Sequence, residues 1–106
     1  MAKIIKIDTS DNKKISVILE IDGKSLESVS KSTLLKSEAC LPLIDNLLKK
    51  NKIDIREIGE IQVKEGPGSF TGLRVGASIA NALSYLLKIP VNNKTIGELV
   101  VPVYNS

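Results

Sequence analysis

The sequence has no histidine, no tryptophan, one cysteine and three aromatic residues, Phe70, Tyr85 and Tyr104. Without histidine the commonest general base and metal ligand is missing, so no Ser-His-Asp or Cys-His arrangement can be assembled. With a single cysteine the usual zinc sites are excluded as well. A peptidase that relies on a histidine-held metal or a triad is therefore not expected. So few aromatics leave no base-stacking platform of the RNA-recognition or OB type, and any nucleic-acid contact would be led by the phosphate backbone. Cys40 cannot form an internal disulfide; among Ala39, Leu41 and Leu43 it reads as a small buried hydrophobe in a reducing compartment. No apolar run is long enough to span a bilayer, and Met1-Ala2-Lys3 leads directly into an alternating strand and not into a signal peptide. A cytoplasmic location is expected, with no membrane partner.

What is present suits one compact domain. The 106 residues are 42% hydrophobic and 25% charged, enough for a modest core and too few for a second full domain. The net charge of +3 is mild, and apart from Lys13-Lys14 and the group Lys49, Lys50, Lys52 the lysines are scattered over what reads as a solvated surface.

Taken in order, Lys3 to Asp8 reads as a strand ending in a carboxylate and followed by a polar turn. Ile15, Val17, Leu19 and Ile21 alternate as a second strand, Asp22-Gly23 is a hairpin turn, and Lys24 to Ser32 is a weaker third strand whose serines and lysine suit a sheet edge. From Leu34 to Lys50 the period becomes helical, with Pro42 expected to kink the helix or to sit near its start. Ile58 to Lys64 is a fourth strand, reached through a helix and so parallel to its neighbour. A second helix is expected from Ser69 to Lys88, a short fifth strand from Ile89-Pro90-Val91, a short helix at Thr95 to Leu99 and a β-prone run from Val100 to Tyr104.

The second helix is apolar over more of its surface than one sheet contact requires. Arg74, Ser78, Asn81, Tyr85 and Lys88 share a polar side, while Leu73, Val75, Gly76, Ile79, Ala80, Ala82, Leu83, Leu86 and Leu87 cover about half the circumference, against the ~100° stripe that a single contact needs. Either the two helices simply finish a small core, or the surplus apolar surface marks a partner site.

The fourth strand and this helix are joined by Gly66-Pro67-Gly68-Ser69-Phe70-Thr71-Gly72-Leu73-Arg74. The glycines admit backbone angles closed to other residues, Pro67 fixes the bend, and Ser69 is placed to cap the helix. Such a loop can hold an anion against a helix N-terminus, or it can pack a helix tightly over a strand. It is not a Walker loop, because no Lys-Ser or Lys-Thr pair follows the last glycine, and it misses the dinucleotide fingerprint.

The order of three antiparallel strands, helix, strand and helix is that of one lobe of the ribonuclease-H-like fold shared by actin, Hsp70 and sugar kinases, an α/β lobe here expected to have a mixed five-stranded sheet and two main helices. The chain resembles the TsaB (YeaZ) family of tRNA threonylcarbamoyladenosine biosynthesis in Ile4 to Ser10, Ser37-Glu38, Leu41 to Asp45, the Gly66 to Gly76 run and Thr95 to Leu99. Where members often carry histidine before Ser-Glu, this chain has Lys36. The resemblance implies a single lobe over residues 1–106, like the N-terminal lobe of the family and without the second. It implies no catalytic residues, no metal and no cofactor on this chain, with ATP and metal held by the catalytic partner. Asp8, Thr9 and Ser10 become a vestigial phosphate turn, and Gly66, Pro67, Gly68, Ser69, Phe70, Thr71, Gly72 and Arg74 the family's motif loop. The implied partners are a TsaD-like catalytic subunit, a TsaE-like ATPase and a second copy of the chain using the same helical face, with tRNA met only indirectly. Leu41, Ile44, Leu48, Val75, Ile79, Ala82 and Leu86 are the expected contacts. The alternative is an ATP-dependent phosphotransferase half-site built on Asp8 and the Gly66–Gly72 loop.

Overall fold

The computed structural model describes residues 3–11, 14–30, 36–68 and 70–102. Strand β1 (Lys3–Asp8), β2 (Ile15–Ile21) and β3 (Lys24–Ser30) come first, followed by helix α1 (Lys36–Lys50), a 3-10 turn (Ile55–Glu57), strand β4 (Glu60–Val63) and helix α2 (Phe70–Leu87). The strands form one sheet in the order β3-β2-β1-β4, with β1 antiparallel to β2 and parallel to β4.

Alternation sets the register. Ile5 and Ile7 of β1 lie opposite Leu19 and Val17 of β2 and opposite Ile61 and Val63 of β4, which puts all six on one buried face. The β2–β3 hairpin turns on Asp22 (φ 49°) and Gly23 (φ 86°), the paired left-handed conformation that two-residue hairpins favour. Both helices cover the buried face. Cys40, Ile44, Leu47 and Leu48 reach it from α1, and Leu73, Ala77 and Ala80 from α2. Burial pushes the Cys40 thiol up to about 11, so it stays protonated as an inert core group. Pro42 lies inside α1, where it removes one amide donor. Helix α2 ends at Leu87, and Lys88, with a φ of 56°, turns the chain out of the helix; the buried Ser84 hydroxyl donates to the carbonyl of Ile89 at 2.6 Å.

Among the described residues the sheet has four strands and not the five expected. The segment after α2 makes a single parallel bridge, Val91 to Ile61, with the Ile61 amide donating to Pro90 O (3.0 Å) and the Asn92 amide to Ile61 O (2.9 Å). Further pairing stops because Asn92 and Asn93 take φ values of 50° and 60° and swing the backbone away. The Asn92 side chain then does what the next strand residue would have done, accepting from Val63 N (2.7 Å) and donating to Val63 O (2.9 Å). The helix expected at Thr95 to Leu99 is only a turn, closed by Glu98 N to Thr95 O (2.9 Å) around Gly97 at φ 95°. Residues 100–102 are not paired as a strand. The last part of that β-prone run, the ends foreseen for β3 at Ser32 and for α1 at Leu34, and the Ser69 cap lie outside the described residues.

Candidate functional site

Two regions carry the functional expectations: the junction where β1 and β4 meet α2, and the outward side of the helices.

At the junction the glycines serve close packing. A Cβ on Gly68 would stand 2.5 Å from Ser10 Cβ, 2.7 Å from Ser10 O and 2.9 Å from Ser10 Cα, so the loop lies directly on the turn after β1. A Cβ on Gly76 would run into the Thr9 hydroxyl and come within 3.2 Å of Val63 Cγ2. Gly66 has a φ of 148°, in the region that favours glycine, and its bond to Pro67 is cis. Thr9 is fully buried and donates its hydroxyl to Gly72 O at 2.5 Å, tying the end of β1 to the first turn of α2. Asp8 accepts from the Ser10 amide (2.9 Å) and hydroxyl (2.6 Å) through the same carboxylate oxygen. Burial alone raises the Asp8 carboxyl, but the two Ser10 bonds, helped by Lys64 and Lys14, hold it below its ordinary value. Asp8, Thr9 and Ser10 are thus brought together with Gly68, Gly72 and Gly76 as one packed corner. Thr71 and Arg74 are exposed; Ser69 and the Phe70 side chain lie outside the described set.

Beside this corner, on the face of the sheet away from the helices, Lys6, Asp8, Ser16, Gln62, Lys64 and Asn93 line an open cleft of about 440 Å³. Its charges are mixed, and Lys6 is paired to Glu20 at 3.1 Å. Among the described residues no group of three or more potential metal ligands occurs.

The helical surface divides the expected contacts. Ile44 and Leu48 are buried against this chain's own sheet, because they lie on the side of α1 that carries Cys40 and Leu47. Leu41 is half exposed, and with Ile44, Leu48, Ile53 and Ile55 it lines a shallow groove of about 400 Å³ between α1 and the 3-10 turn. On α2, Val75 and Ile79 are half-buried while Ala82 and Leu86 are exposed, Leu86 at 72%. At spacings of four, three and four residues these four form a stripe along one side of the helix, climbing from the rim of the core into solvent. Sequence periodicity places Tyr85 on the polar side, and the structure leaves it there, 78% exposed and next to Leu86. Periodicity puts Asn81 on that same side, yet its amide clamps Val100 from both sides, donating to Val100 O (3.0 Å) and accepting from Val100 N (2.8 Å).

Residues 32–93, which contain α1, β4 and α2, match the model of the family described as TsaD: tRNA N6-adenosine threonylcarbamoyltransferase. The chain belongs to this family. The relatives it matches include TsaB proteins and tRNA N6-adenosine threonylcarbamoyltransferases. The tRNA threonylcarbamoyladenosine biosynthesis protein TsaB of Haemophilus influenzae is 33% identical over 87% of this chain and 40% of its own length. The TsaB of Bacillus subtilis is 30% identical over 97% of this chain and 50% of its own. The solved structure of YeaZ from Pseudomonas aeruginosa superposes with a TM-score of 0.82 at 27% identity, covering 90% of this chain and 44% of YeaZ. The chain therefore spans half or less of the length of these TsaB-type relatives. Among its described residues no helix is long and apolar enough to cross a membrane.

Proposed function

We propose that this chain is a non-catalytic subunit of tRNA threonylcarbamoyladenosine formation, a ribonuclease-H-like lobe that docks a TsaD-like catalytic subunit through the outward side of its helices. The carrying observation is the stripe Val75, Ile79, Ala82 and Leu86, apolar surface that the chain's own sheet leaves uncovered. The names of its TsaB relatives support the process, and membership of the TsaD family supports the kind of partner. The packed corner supports the non-catalytic role: the Thr9 hydroxyl is committed to Gly72 and Gly68 is filled against Ser10, so these glycines hold a helix over a strand. In this reading ATP and metal belong to the partner, a TsaE-like ATPase joins the assembly in the cytoplasm, tRNA is met through the partner, and the same face can make homodimers.

Ala82→Glu tests it by placing a charge on an exposed helix position where the fold tolerates one. Capture of the TsaD-like subunit from the same cell should be abolished with the melting temperature unchanged; unchanged capture, with unchanged mass by light scattering, overturns the reading. The cleft beside Asp8 and Lys64 is the one feature that favours the phosphotransferase alternative. Micromolar binding of ATP and magnesium by the isolated chain, measured by calorimetry, would establish that alternative.

A further inference from the structure

We infer that the open cleft on the helix-free face of the sheet binds a free α-amino acid, its ammonium group on Asp8 and its carboxylate on Lys64. The inference stands on the cleft and not on the docking surface of the helices. Asp8 ends β1, and Lys64 comes one position after Val63, the residue of β4 that pairs with Ile7. The two side chains therefore lie next to each other across the strands, and both line the cleft. Among the described residues they form no ion pair with each other, and Lys64 forms none with any other carboxylate. Ser10 binds a single oxygen of Asp8, Oδ1, with its amide and its hydroxyl, which fixes the carboxylate and leaves Oδ2 to another donor. Although partial burial works against it, the same bonds keep that carboxyl ionised. The side-chain amides of Gln62 and Asn93 also line the cleft and enter no hydrogen bond among the described residues, and Ile18 adds an apolar patch.

The mixed charge selects the ligand. A simple anion would meet Asp8 and Glu65, and a simple cation would meet Lys64 and Lys6. A metal-bound phosphate would have only those two carboxylates to hold its metal, and Glu65 already accepts from Asn92 at 2.8 Å. No group of three potential metal ligands occurs among the described residues. A zwitterion satisfies both signs at once. An α-amino acid carries its two charges on one carbon, a span that suits side chains on adjacent strands roughly 4.8 Å apart. The amides of Gln62 and Asn93 can then donate to the second carboxylate oxygen, and the cleft, at about 440 Å³, leaves room for the ligand's side chain beside Ile18.

The test is a titration of the isotopically labelled chain followed by amide chemical shifts, with threonine, the amino acid of the process proposed above, as first ligand and glycine as second. Both should shift the amides of Asp8, Lys64 and Asn93 with a Kd on the order of 1 mM. N-acetylthreonine lacks the ammonium group and threonine amide lacks the carboxylate, so each should bind roughly tenfold or more weakly for the loss of one charged contact. Lys64→Gln, at an exposed position, should weaken threonine binding by a similar factor with the melting temperature unchanged. The inference is overturned if threonine and glycine leave these amides unshifted at roughly ten times the expected Kd. It is overturned equally if the acetylated and amidated forms bind as well as threonine, or if Lys64→Gln binds threonine unchanged. Shifts of the same amides by micromolar magnesium ATP, with none from the amino acids, would also overturn it and give the cleft to the phosphotransferase reading. The docking reading is tested separately by Ala82→Glu and does not depend on any of these outcomes.

Discussion

Gly68 lies so close to the turn after β1 that a side chain there has no room. The atoms that a side chain would meet are mainly Ser10 backbone, which cannot rotate out of the way. Gly68→Ala is accordingly expected to destabilise the fold by about 1–3 kcal/mol, the range for overpacking a tight contact, and a urea titration would register it as a lower midpoint. Asp8 makes a second point at this scale. Its folded value lies below the 3.8 of an unperturbed aspartate, so the stabilisation from its Ser10 bonds is present above that pH and disappears as acid protonates the carboxylate. Replacing Asp8 by Asn should flatten the stability curve below about pH 4 and leave its slope near neutrality unchanged, which urea midpoints along a pH series would reveal. The spacing of the glycines pointed to this corner. That Gly68 and Gly76 pack on Ser10 and Thr9 was not legible, because those residues lie some sixty positions earlier in the chain.

At the scale of elements, periodicity carried most of the architecture. The alternation of Ile15, Val17 and Leu19 and the helical spacing of Cys40, Ile44, Leu47 and Leu48 each marked a buried face, and a helical crossover required β4 to run parallel to β1. The fifth strand went the other way. Ile89-Pro90-Val91 has strand-like residues, but a left-handed turn at Asn92-Asn93 comes directly after it, and the edge of β4 is completed by an amide side chain. No hydropathy pattern announces an asparagine standing in for a strand. Removing that amide by Asn92→Ala leaves the Val63 amide and carbonyl without this partner, and a loss of about 1–3 kcal/mol is expected. Faster hydrogen exchange at Val63, compared with Ile61, would locate the loss, since the backbone of Pro90 and Asn92 still holds Ile61.

For the whole molecule, the outward stripe was partly legible: an apolar arc wider than one contact announced surplus surface, yet only the packed structure separates Ile44 and Leu48, spent on the core, from Leu41, Ala82 and Leu86 in solvent. The stripe on α2 carries no charge, and that sets how association responds to salt. On the proposed docking, binding of a TsaD-like subunit should change by less than about twofold between roughly 0.1 and 0.5 M salt, whereas binding driven by phosphate contacts would fall by orders of magnitude over that range. Measuring the affinity at both concentrations separates a protein dock from a direct tRNA surface.

The two borders of the sheet are finished differently. On one flank an amide stoppers β4, while on the other β3 has no further strand beyond it among the described residues. Among the described residues, strand addition by a misfolded copy or a stray peptide therefore finds its opening at β3, where the serines together with Lys24 and Glu27 act as deterrents.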